Sequence, residues 1–150
     1  MKLNKRGFVI FKMDKLTQEY LNENEISLKD FLNIVVAKLN FYEGERLKKD
    51  GYTNECFFNK NGSLTDNYEI TLKEKQKYFY IDFGTSGGFM IAKEQIKTKH
   101  YGIYEKGSIF NIKGYGTPNF LKYYGLIFEI DIKKLHSLRF DYRKLKFIKF

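Results

Sequence analysis

The chain has 150 residues, 43% apolar and 30% charged, with one cysteine, one proline and no tryptophan. That length suits one domain over residues 1–150 around a single core, and that composition excludes wholesale disorder. Cys56 has no intrachain partner, which excludes a disulfide-stapled scaffold. No stretch nears the roughly 20 apolar residues of a membrane span, and the start lacks the apolar region of a signal peptide, so a cytoplasmic protein without membrane contact is expected.

In chain order, residues 7–13 (GFVIFKM) read as a strand, and Asp14 then caps a short helix with Leu16, Tyr20 and Leu21 on one side. Ser27 opens S-L-K-D, a capping-box pattern with Asp30 in place of the usual Glu. Phe31, Leu32, Val35, Val36 and Leu39 follow at the 3.6-residue spacing of a buried helical stripe. After Cys56, Phe57 and Phe58 comes the turn signal Asn59-Lys60-Asn61-Gly62, and residues 68–72 and 77–83 are expected to form a hairpin. Residues 100–106, 108–113 and 124–132 are further strand candidates, before a short helix near 134–138 and a last strand within 140–150. The expected class is α+β, one domain with a mainly antiparallel twisted sheet and N-terminal helices.

The formal net charge is +9, to which residues 1–13 contribute +4, residues 133–150 contribute +6 and residues 14–132 contribute −1. Chain ends often lie close together, so Lys5, Arg6 and Lys12 with Arg139, Arg143, Lys144, Lys146 and Lys149 are candidates for tracking a nucleic-acid backbone.

Two segments carry chemical patterns. In Gly84-Thr85-Ser86-Gly87-Gly88, glycines expose successive amides beside two hydroxyls, which suits a phosphate; a plain turn between strands is the competing reading. The same residues match G-x-S-x-G, and Ser86, Asp131 and His136 follow a hydrolase order, although such an elbow needs a buried parallel sheet. Residues 97–125 interleave Tyr101, Tyr104, Phe110, Tyr115, Phe120, Tyr123 and Tyr124 with Lys97, Lys99, Lys106, Lys113 and Lys122. Aromatics that stack on bases beside lysines that hold phosphates make up the recipe for binding single strands, with Phe110 assigned to the core and Tyr115 to a projecting loop. His100 lies beside Lys99, which favours the neutral, proton-accepting imidazole. Glu129 and Asp131, placed on one strand face, form with Arg6 and Thr85-Ser86 a loose version of an ADP-ribosyltransferase pattern. No Cys/His spacing or carboxylate cluster suggests a metal, so neither metal nor other cofactor is expected.

The strand Lys77-Tyr78-Phe79-Tyr80-Ile81-Asp82-Phe83, running through Gly84 into Thr85-Ser86, resembles the strand that ends in Thr-Ser in endoribonuclease toxins of RNA-antitoxin (type III) systems, the ToxN and CptN type. The opening strand and Lys15-Leu16-Thr17-Gln18-Glu19-Tyr20-Leu21 are similar to their early strand and helix. The chain departs from that pattern where Gly87-Gly88-Phe89 replace a Lys just after the Thr-Ser pair, and the next Lys is Lys93. The resemblance implies a MazF-like sheet and metal-independent RNA cleavage leaving a 2′,3′-cyclic phosphate. It also implies neutralisation by a folded antitoxin RNA, through which copies of the chain would assemble. Thr85 and Ser86 would hold the phosphate, Lys77, Lys93 or Lys99 would stabilise charge, and His100 or a Lys would move protons. The alternatives are a non-enzymatic nucleic-acid- or protein-binding inhibitor from a phage or plasmid, and the ADP-ribosyltransferase.

Overall fold

The computed structural model describes residues 26–114 and 116–138. The expected strand at 7–13, the helix after Asp14 and the last strand within 140–150 lie outside the described residues.

Helix α1 (Leu28–Lys49) begins at Ser27, whose backbone is extended and whose hydroxyl oxygen accepts the amide of Asp30 at 3.0 Å, half of the reciprocal box. Its stripe of Phe31, Leu32, Val35, Val36 and Leu39 is buried, and Arg46, Lys48 and Lys49 place positive charge at its C-terminal end, where the helix dipole favours it. The sheet contains β1 (Ile70–Glu74), β2 (Tyr78–Phe83), β3 (Ser86–Ala92), β6 (Ser108–Gly114) and β7 (Thr117–Leu126). Its order is β1-β2-β3-β6-β7, antiparallel throughout. A small hairpin, β4 (Ile96–Lys97) and β5 (Ile103–Tyr104), is inserted between β3 and β6. Helix α2 (Ile132–Leu138) closes the described chain.

Alternation along the strands gives the sheet two faces. Ile70, Phe79, Ile81, Phe83, Phe89, Ile91, Ile109 and Tyr124 join the α1 stripe and Leu135 and Leu138 of α2 in one core. Phe31 meets Phe128 at 5.5 Å between ring centres. The first residue of edge strand β1 is clamped to α1: Asn40 donates to the Ile70 carbonyl at 2.8 Å and accepts the Ile70 amide at 2.7 Å. The amide side chain thus pairs backbone groups at the edge of the sheet that the described residues form.

Several expectations are corrected. Around residues 56–58 there are turns and a single bridge, Phe58 to Leu64. Within residues 100–106 only Ile103 and Tyr104 are strand. Residues 86–92, read as a glycine loop and its sequel, are the central strand β3. The strand expected over 124–132 is instead β7 at Thr117–Leu126, which accommodates Pro118 because it lies at an edge of the sheet formed by the described residues. Residues 127–131 leave the sheet in turns, so Glu129 and Asp131 do not share a strand face; Asp131 instead accepts the Lys133 amide at the start of α2.

Candidate nucleic-acid interface

The Thr-Ser segment is a hairpin end. Gly84 and Thr85 connect β2 to β3, with Phe83 paired to Ser86. Gly84 has φ +62°, and a Cβ there would come within 2.0 Å of the Asn67 carbonyl oxygen, so the turn requires glycine. Thr85 and Ser86 are exposed. An antiparallel hairpin is not a nucleophile elbow. His136, the third member of that triad reading, is buried on α2 with Nε2 3.0 Å from Glu43 Oε1.

Lys93 lies at the opposite end of the same hairpin, its amide bonded to the Lys77 carbonyl. Seven residues of strand place it about 20 Å from Ser86. Its ammonium donates to Glu74 Oε2 at 2.8 Å and to the Lys75 carbonyl at 3.0 Å, and lies 5.4 Å from the centre of the Phe79 ring. Glu74 also pairs with Lys29 in the first turn of α1 at 3.3 Å. Hydrogen bonds from Lys93 and Lys29 hold the Glu74 carboxyl below its ordinary range. Lys93 therefore ties strand ends to a helix, and the structure does not bring it to Thr85 and Ser86. Lys77 is exposed at that same far end.

Five rings of the second constellation, Tyr101, Tyr104, Phe110, Phe120 and Tyr123, do assemble, whereas the ring of Tyr124 packs 5.7 Å from Phe89 in the helix-side core, where burial pushes its hydroxyl up to about 12. On the other face, Phe110 is fully buried and supports Tyr104 at 5.0 Å, Phe120 at 5.2 Å and Tyr123 at 5.3 Å. Phe120 stacks with two tyrosines of the β4–β5 hairpin, Tyr104 at 5.5 Å and 19° and Tyr101 at 5.7 Å and 25°. Burial, then the neighbouring Tyr123 and Tyr101, raises the Tyr104 pKa, so its hydroxyl stays protonated and able to donate. The hairpin tip is held by Thr98, whose hydroxyl donates to the Gly102 carbonyl at 2.7 Å and accepts the Tyr101 amide at 2.9 Å.

That tip presents Lys99, His100 and Tyr101 to solvent, and Tyr101 is 49% exposed at the open end of the stack. Leu121, beside Phe120, is 78% exposed and Ile103 is 60% exposed. Residues 95–125 hold five lysines against one acid, Glu105, whereas residues 26–94 hold ten basic and ten acidic residues. The positive charge of the described chain therefore sits around this stack, and Lys97, Lys99, Lys113 and Lys122 are exposed there. Lys5, Arg6, Lys12, Tyr115, Arg139, Arg143, Lys144, Lys146 and Lys149 lie outside the described residues.

One charged pair and one polar triad had no signal in the sequence. Asp82 on β2 lies 3.1 Å from Lys73 on β1, and Glu43 joins Arg46 and His136 between the helices. Among the described residues no group of three His, Cys, Asp or Glu side chains is placed to hold a metal, and no helix is long and apolar enough to cross a membrane. Comparison with family models, curated proteins and solved structures found no match.

Proposed function

We propose that the protein binds single-stranded RNA on the sheet face opposite α1. The observation that carries this is the ordered Tyr101–Phe120–Tyr104 stack, open at Tyr101, inside the one described segment with a lysine excess. A base added on the free face of Tyr101 extends the stack, and lysines on either side hold the phosphates on both sides of that base. Titration of a fluorescent single-stranded RNA with wild type and Tyr101→Ala tests it. Loss of stacking lowers affinity by about 10-fold, within the range of one base–aromatic contact; equal affinities in two folded proteins count against it.

Cytoplasmic endoribonuclease action, with a MazF- and ToxN-like fold and an antitoxin RNA that neutralises and assembles the toxin, is the fuller reading that the Thr-Ser resemblance suggests. Metal-independent cleavage needs a proton acceptor for the 2′-hydroxyl, charge stabilisation at phosphorus and a proton donor for the leaving oxygen. Exposed His100, beside Lys99 and Tyr101, supplies the first or last role within reach of a base stacked on Tyr101. A second reading, RNA binding without cleavage, is favoured by one observation: Lys93 is engaged by Glu74 far from Thr85 and Ser86. RNA incubated with the protein in EDTA separates the two, since cleavage produces 2′,3′-cyclic ends and binding alone leaves the RNA intact.

A further inference from the structure

The face that carries the aromatic stack also carries a carboxylate with one oxygen left over. Asp82 is 4% exposed, its Oδ2 lies 3.1 Å from Lys73 Nζ, and its buried Oδ1 accepts no hydrogen bond. A buried acceptor without a donor is costly, and native chains keep few of them without a use. The strand is irregular at this residue: the register shifts between Ile81 and Asp82, which places Asp82 opposite Gly87, a position without a side chain of its own whose nearest neighbour is Ile112 Cδ1, 2.8 Å from where a Cβ would sit. Along the same face, Tyr80 pairs with Met90 and Met90 with Phe110, the buried base of the aromatic cluster. Gly116, in the connection from β6 to β7, lies near the Tyr80 hydroxyl, with its Cβ position 3.8 Å away. Strand spacing and rise put Asp82 roughly 12 Å from Phe110, about two nucleotides along an extended single strand.

We propose that Asp82 is a specificity-determining residue of the RNA-binding face, its Oδ1 accepting a hydrogen bond from the exocyclic amino group of a base; this rests on the RNA-binding reading above. An ionised carboxylate only accepts, so its partner must donate. Lys73 holds the other oxygen and orients the group. Its side chain is 54% exposed, so it forms the solvent side of the pair and the way in. Cytosine offers an amino group at the position where uracil offers a carbonyl oxygen, which Asp82 repels.

The test compares binding of oligocytidylate and oligouridylate of equal length by wild type, Asp82→Asn and Lys73→Gln. Wild type binds the cytidine oligomer at least fivefold more tightly. Asp82→Asn keeps the size of the side chain but both donates and accepts, so it brings the two affinities within twofold by strengthening uridine binding. Lys73→Gln, at a half-exposed site on another strand, lowers the preference without altering β2 and carries the test if the Asp82 variant does not fold. Equal wild-type affinities, or a preference unchanged in the folded variants, overturn the role of Asp82 while RNA binding stands. Failure of folded wild type to bind either oligomer overturns both readings.

Discussion

Glu43 and His136, 93 positions apart, meet at 3.0 Å and join the two helices through a buried hydrogen bond. Arg46 shares Oε1 with His136, its Nε donating there at 2.8 Å, and its Nη2 donates to Oε2 at 2.9 Å. Burial raises the Glu43 pKa, but the hydrogen bonds from Arg46 and His136 together outweigh it, so the carboxyl titrates below its ordinary value of 4.5. Tyr42 from α1 packs its ring 6.2 Å from His136, and Asp50 faces Arg46 at 3.7 Å.

A group whose folded pKa is depressed contributes stability above its unfolded pKa and loses it as pH falls through the folded one. Glu43→Gln is therefore expected to destabilise the protein at pH 7 by about 3 kcal/mol, the low end for a broken buried pair because Arg46 reaches solvent. The gap between wild type and variant narrows below pH 4.5. Urea melts of both proteins from pH 7 to pH 3 measure this; a gap that stays constant across that range contradicts the pairing.

The hairpin end gives a backbone prediction. Gly84→Ala adds a Cβ in a left-handed conformation against the Asn67 carbonyl, with no flexible side chain there to move aside. A loss of about 2 kcal/mol or more is expected, from strain of order 1–3 kcal/mol plus displacement of backbone. Thr85→Ala, at an exposed neighbour, is expected to change stability by less than about 0.5 kcal/mol. Thermal unfolding of the two variants compares them directly.

The different legibility of elements has physical causes. The α1 stripe and the β1–β2 hairpin were readable because each depends on local periodicity. Strand β3 was hidden because Gly87 and Gly88 resemble a loop, yet Gly88 is bare because a Cβ there would strike the Phe83 ring at 2.5 Å. Pro118 obscured β7, whose edge position only the strand order reveals. The aromatic and lysine pattern of residues 97–125 was visible, but its sorting was not: Tyr124 faces the helix-side core while Tyr101 and Phe120 stack on the other side. Lys73 with Asp82 and Glu43 with His136 depend on strand register and helix docking, which no local pattern encodes.

The lysines around the stack make a prediction about salt. Each phosphate neutralised on a single strand adds about 0.7 to the slope of log affinity against log salt. Replacing Lys97, Lys99 and Lys122 together by Gln is expected to flatten that slope by about 2 and to leave the melting temperature nearly unchanged, since all three are exposed. An unchanged slope in the triple variant moves the phosphate path away from this surface.

Cleavage provides the last test, because the two hydroxyls and the histidine occupy different hairpins. The Thr85–Ser86 turn joins β2 to β3, whereas His100 rides on the β4–β5 tip next to the exposed ring of Tyr101. If RNA is cut where it stacks, His100→Ala lowers the rate by about 10²-fold, the low end for a lost general acid or base, with affinity held within twofold. Lys93→Gln serves as the internal contrast: it removes the ion pair to Glu74 and so lowers thermal stability, but at matched folded fraction it leaves the cleavage rate unchanged. Ser86→Ala discriminates further, since a rate loss of the same size would mean that RNA spans both hairpins and that the Thr-Ser resemblance has chemical content. A rate that falls for Lys93→Gln and not for His100→Ala would place the scissile phosphate at the opposite end of the sheet and remove the aromatic stack from the reaction.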